Sequence, residues 1–138
     1  MTLFELARTL PNGFHDAELK SIHLDYEELE ATLTVDLWIG SMQDPPEQRE
    51  TYEPVKVQLS GLEYFLIDAP NPTGTSGEHY KEPGTVRLDL CEPAPEITSK
   101  LPGPGEACLF FAERWNSFIH LAAAEAQIIW RGEKYSNA

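Results

Sequence analysis

The stretch CLFFAERWNSFIHLAAAEAQIIW, Cys108 to Trp130, decides the fold. It is the densest apolar block in the chain, so any core is built against it. Leu109 to Ala112 reads as strand, Arg114 to Ser117 as a turn, and Phe118 to Leu121 as a strand pairing back. The segment Ala122 to Gln127 has strong helix propensity, Ser117 offers a cap and Gly132 stands where a C-terminal glycine belongs. A helical wheel, however, puts Glu125 in the middle of the apolar face, where a buried carboxylate needs a partner. Read as a strand, His120, Ala122, Ala124, Ala126, Ile128 and Trp130 line one face and Glu125 and Gln127 share the other. We therefore expect a long strand with a bulge, the alternative being a C-terminal helix over 118–131.

Working outward, Ala31, Leu33, Val35, Leu37 and Ile39 alternate strictly with Thr32, Thr34, Asp36 and Trp38, the pattern of a half-buried strand. Before it, Ile22, Leu24 and Tyr26 share one face of a second strand, and Glu27 to Glu30 form a polar connection; the two strands predict an antiparallel hairpin. Val55, Val57 and Leu59, a break at Ser60-Gly61 and the run Leu62 to Ile67 predict two strands, or one bent by a bulge. Thr85 to Leu90 is a further strand, with room for a helical turn around Glu96 to Lys100. At the N-terminus Leu3, Leu6, Ala7 and Leu10 have helical spacing after Thr2, and Pro11-Asn12-Gly13 ends that helix. Gly40 to Pro54 and Asp68 to Gly84 read as loops. All eleven prolines are expected outside the strands, because a ladder needs each backbone N–H.

The predicted architecture is a single domain over residues 1–138, mainly β: an antiparallel β-sandwich or strongly curved sheet of six to eight strands with a short N-terminal helix. The alternative is α+β with the helix at 118–131. At 138 residues a core forms without disulfides or a structural metal.

Charge narrows the function. With 23 acidic against 10 basic residues the net charge is -13. That disfavours nucleic-acid binding, which needs lysine and arginine to displace counterions from phosphates, and an anionic membrane surface repels it. A solubilising surface explains the balance; a basic protein partner explains it more specifically. The sequence MTLFELARTLPNG has neither a positive n-region nor a sustained apolar run, so no secretory signal or membrane span is expected. Two cysteines, Cys91 and Cys108, are too few for a disulfide framework, and a reducing, cytoplasmic setting follows.

Candidate sites are sparse. His15, Asp16, His23 and Asp25 supply two imidazoles and two carboxylates within HDAELKSIHLD, a donor set suited to a divalent metal and hence to a metal-dependent hydrolase. Their spacing matches no zinc motif, and turn capping by Asp16 with a solvated His23 and Asp25 accounts for the same residues. No other cofactor is implied. Ser60-Gly61 and Ser41 sit in no nucleophile elbow, and Cys108 near His120 reads as a core thiol. Glu27, Glu28 and Glu30 form an acidic connection that would meet a basic partner first. Trp38, on the polar face of its strand, is a binding anchor unless a second layer covers it, and Tyr80 is the recognition residue of the Asp68–Gly84 loop. Self-association through a sheet edge is a further expectation.

The turn Phe14-His15-Asp16-Ala17, the run Ser60-Gly61-Leu62-Glu63-Tyr64-Phe65 and the segment Trp115-Asn116-Ser117-Phe118-Ile119-His120 together resemble small bacterial proteins that open with a His-Asp turn leading into a β-hairpin. These include some immunity proteins of polymorphic toxin systems. The resemblance spans about half the chain through short motifs. It implies a cytoplasmic, mainly β, non-enzymatic protein that occludes a toxin, and it brings no established functional residues.

Overall fold

In the computed structural model the described residues are 1–71 and 84–130, without the side chains of Leu90 and Cys91. Six antiparallel strands close into a barrel: β1 (Glu18–Asp25), β2 (Glu30–Trp38), β3 (Tyr52–Ile67), β4 (Val86–Pro93), β5 (Cys108–Ala112) and β6 (Ser117–Trp130). Their order around it is β1-β2-β3-β6-β5-β4, with β4 returning to β1. A closed barrel is more specific than the expected sandwich or curved sheet.

The decisive block is two strands joined by a tight turn, with no α-helix. Cys108 to Ala112 forms β5, Glu113–Trp115 makes a 3-10 turn, Asn116 reverses the chain at φ 48, and β6 pairs back onto β5. Along β6, Ile119, Leu121 and Ala123 are buried in the barrel, and burial then resumes at Ala126, one residue out of step. Glu125 and Gln127 are both exposed, and Gln127 Nε2 donates to Gln58 at 2.7 Å. The carboxylate that argued against a helix thus stays in solvent, where Glu125 meets the N-terminal amine at 2.7 Å.

Strands β3 and β6 change direction together. Gly61 has φ +63, and a Cβ there would stand 2.9 Å from the Cβ of Ala124. Just beyond, the register shifts between Leu62↔Ala123 and Tyr64↔Ala122. The bent pair carries the sheet around a corner, as orthogonal β packing requires. The first halves of both strands and their continuations face different neighbours: Val55, Val57 and Leu59 oppose β2, while Tyr64 packs outward with Ala94, Ala107, Ala122 and Ile97. That outer cluster lies under α3 (Pro95–Thr98), whose following loop is fixed by Glu63, accepting from the backbone N–H of Gly103 and Gly105 at 2.7 and 2.6 Å.

The main core lies inside the barrel. Ala31, Leu33, Val35 and Leu37 from β2 meet Val55, Val57 and Leu59 from β3, all at most 2% exposed. The short helix α1 (Leu3–Ala7), capped by Thr2, adds Leu3, Leu6 and Ala7, and Phe14 stacks edge-on against Phe110 at 5.4 Å. Ser117, considered above as a helix cap, is instead buried at the start of β6.

Three expectations need correction. Gly40 to Pro54 is not wholly loop, since it holds α2 (Pro46–Arg49) and the start of β3. Pro54 and Pro93 lie within strands rather than outside them. Pro54 opposes Asp36 of β2 while the ladder to β6 begins only at Val55, and Pro93 is the last residue of β4, so neither interrupts two ladders at once. Tyr26 falls beyond β1 and is 82% exposed rather than facing the core.

Replacing Gly61 by valine should expose how much the corner matters. The left-handed φ alone costs an L-residue roughly 1–2 kcal/mol, and overpacking against Ala124 costs about 1–3 kcal/mol more. Urea unfolding should show a midpoint lowered accordingly; an unchanged midpoint would mean the corner does not depend on this contact.

Candidate functional site

The β1–β2 connection is a built surface. Asp25 Oδ1 accepts from the backbone N–H of Glu27 and Glu28 at 3.1 and 3.0 Å, the bond that an aspartate at the head of a turn makes to its own chain. Leu29 follows with φ 54, and its carbonyl accepts from the Leu62 N–H at 2.8 Å. The tip is therefore fixed to its own hairpin and to β3. On it, Glu27 and Glu28 are exposed, whereas Glu30, expected in the connection, is half-buried as the first residue of β2. Between them stand two large apolar side chains, Tyr26 at 82% and Leu29 at 55% exposure. Beside the tip Leu29, Leu62, Pro102 and Pro104 line a shallow hollow.

Both apolar residues were missed in the sequence. Tyr26 continues the alternation of Ile22 and Leu24, and only the turn closed by Asp25 takes it out of the strand. Leu29 is also unusual in conformation. A bulky residue at positive φ is strained, where glycine or asparagine is free to sit.

His15, Asp16, His23 and Asp25 do not gather. His15 and Asp16 lie in the turn before β1, whereas His23 and Asp25 lie at its far end, paired with Thr32 and Glu30. The carboxylate of Asp25 is engaged in the tip. Among the described residues, no three His, Cys, Asp or Glu side chains are grouped to hold a metal ion. His15 finds other company: its Nδ1 is 2.7 Å from Asp89 Oδ1 on β4, its Nε2 is 3.6 Å from Asp16 Oδ2, and its ring is 6.1 Å from that of Trp38.

Trp38 is half-buried and committed internally. Its Nε1–H donates to the Arg49 carbonyl at 2.6 Å, and Asn12 Nδ2 donates to the carbonyls of Trp38 and Gly40. The segment that follows β2 thus satisfies the indole N–H through Arg49. Cys108 is buried and opposes Leu121, while His120 opposes Leu109 and meets Asp68 Oδ2 at 3.0 Å. The thiol and that imidazole belong to different faces. Tyr80 lies outside the described residues.

The hydrogen bond to Asp89 raises the His15 pKa above its ordinary value. Desolvation opposes the shift, and the charges of Asp16, Asp89 and Glu113 support it. Stability from this contact is complete below the unfolded histidine value of about 6.5 and is lost as pH rises through the higher folded value. Because the side chains are 55% and 33% exposed, solvent screening limits the effect to below about 1 kcal/mol. Titration of the His15 ring by NMR should give a raised midpoint, and His15→Gln should flatten the stability profile in that window. A midpoint at the ordinary value would show that the contact is not maintained in solution.

Comparison with protein-family models, curated proteins and solved structures finds no match for this chain.

Proposed function

We propose that this protein is a non-enzymatic binding domain that engages a basic protein partner through the β1–β2 tip, in the manner of an immunity protein occluding a toxin. The observation that carries the proposal is the presentation of Tyr26 and Leu29 in solvent, on a fixed turn, among Asp25, Glu27, Glu28 and Glu30.

Each part has a role that physics supplies. Carboxylates attract and orient a cationic partner, raising the association rate. Aromatic and aliphatic side chains give contacts that persist once water leaves, and tyrosine is among the residues on which interface energy concentrates. A turn already held by three hydrogen bonds loses little conformational freedom on binding. Leu29 fits this account, because an exposed apolar side chain stands at a backbone position that favours glycine.

Affinity capture from native lysate at low salt should recover a basic protein with the wild-type chain and lose it with the E27K/E28K/E30K variant. Recovery of no basic protein, or equal recovery by both, would overturn the proposal. Against the recovered partner, Tyr26→Ala should weaken binding about tenfold, corresponding to about 1.4 kcal/mol. Leu29→Gly should also weaken it while leaving stability within about 1 kcal/mol of wild type, since relief of backbone strain offsets the more flexible unfolded chain.

A further inference from the structure

The corner that bends β3 and β6 also shapes the hollow beside the β1–β2 tip. Its floor is Gly61 and Ala124, one residue without a side chain and one with a single carbon, midway along the β3–β6 ladder between Val55 and Ile67. Leu29, Leu62, Pro102 and Pro104 line the rest, and the space between them is about 400 Å³. The lining is fixed by the chain itself. The Leu29 carbonyl accepts from the Leu62 N–H at 2.8 Å, and Glu63 holds the loop that carries both prolines through the N–H groups of Gly103 and Gly105. A recess held in this way takes up a side chain at small cost in ordering its own walls.

Strand pairing sets a carboxylate at the rim. Glu30 opposes Ser60 on β3, and Ser60 adjoins Gly61 of the floor. Ala31 and Leu59, next along the same two strands, are buried in the core, so Glu30 and Ser60 face outward. Neighbouring strands are about 4.8 Å apart, a span that a long side chain lying on the floor can bridge. Glu28 stands on the other side of Leu29 and is exposed. Among the described residues neither of these carboxylates is engaged by a hydrogen bond or ion pair. The other acids nearby are already committed: Glu63 to the loop, and Glu125, opposite Ser60 on β6, to the N-terminal amine at 2.7 Å.

An apolar lining with a carboxylate at its edge suits a side chain whose carbon stem lies along the surface while its charge reaches past it. Arginine meets this better than lysine, because the guanidinium is weakly hydrated, stacks on flat surface and takes a carboxylate through two parallel bonds. An uncharged aromatic side chain would leave Glu28 and Glu30 without a counter-charge. A second copy would bring a further -13 to the surface.

We propose that an arginine side chain of the basic partner seats in this hollow, its stem against Leu29, Pro102 and Pro104 and its guanidinium on Glu30. This deepens the reading of the tip as the surface for a basic partner and rests on it. The tip carries the general contact, and the hollow beside it selects one residue.

The test uses the full chain, labelled for NMR, at low salt, with the blocked peptide Gly-Gly-Arg-Gly-Gly and its lysine counterpart. The arginine peptide should shift the Leu29 and Ala124 methyl signals and the Gly61 and Gly103 amides, and the lysine peptide should bind about tenfold more weakly. Glu30→Gln should weaken the arginine peptide about tenfold, while Glu47→Gln, on α2 beyond the far end of β2, should leave it unchanged. Pro102→Ala, at an exposed position, should weaken it as well and gives the same information should Glu30→Gln disturb the hairpin. Equal binding of the two peptides, or equal losses in Glu30→Gln and Glu47→Gln, would reduce the interaction to general charge attraction and overturn the proposal. So would the same shifts produced at equal affinity by an uncharged tryptophan peptide, or by concentrating the protein alone, which would seat an aromatic side chain or a second copy there instead. Shifts confined to Tyr26, Glu27 and Glu28 would overturn it and leave the tip reading intact. Conversely, selective arginine binding by a protein that captures no basic partner would sink the tip reading and keep the arginine seat.

Discussion

The fold depends on the contact between Gly61 and Ala124. A flat sheet cannot bury both ends of strands as long as β3 and β6, so the two must turn a corner together. Gly61 supplies the left-handed φ that the turn needs, and Ala124 supplies a neighbour small enough to sit against it. The alanine run of β6 follows from the same requirement. Ala122 fits beneath the α3 cluster, Ala123 fits inside the barrel, and Ala126 restores inward burial one residue later. These alanines are selected by size, with backbone preference overruled by packing.

That explains what the sequence could and could not convey. The alternation of β2 was legible because one face is wholly buried and the other is not. The strand state of β6 was legible through Glu125, whose charge has no place on an apolar helix face. Closure into a barrel was not legible, because it depends on pairing between β1 and β4, which are separated in the chain by β2 and β3 and share two register positions among the described residues. The acidic half of the tip could be read from Glu27, Glu28 and Glu30. Its apolar half could not, since Tyr26 keeps the period of the strand and leaves it only through a turn bond made by Asp25. The His15 set failed for a related reason: nearness along the chain does not survive the length of a strand, and β1 separates the two pairs.

The β1–β2 hairpin therefore has an uneven structural role. β2 is buried on one face and paired on both sides, whereas the pairing of β1 with β4 among the described residues lies at its first residues. Two exposed apolar side chains, Tyr26 and Leu29, stand on the turn that joins these strands.

Charge alone would make this hairpin a weak binding surface. At physiological ionic strength the screening length is about 8 Å, so the tip carboxylates act over little more than their own neighbourhood and mostly set how fast a cationic partner arrives. Duration of contact must come from surface that excludes water. Tyr26 and Leu29 provide that surface, and an exposed leucine at φ 54 has little structural reason to be there. Removing the charges and removing the apolar groups should thus act on different steps of one association, the first on encounter and the second on release.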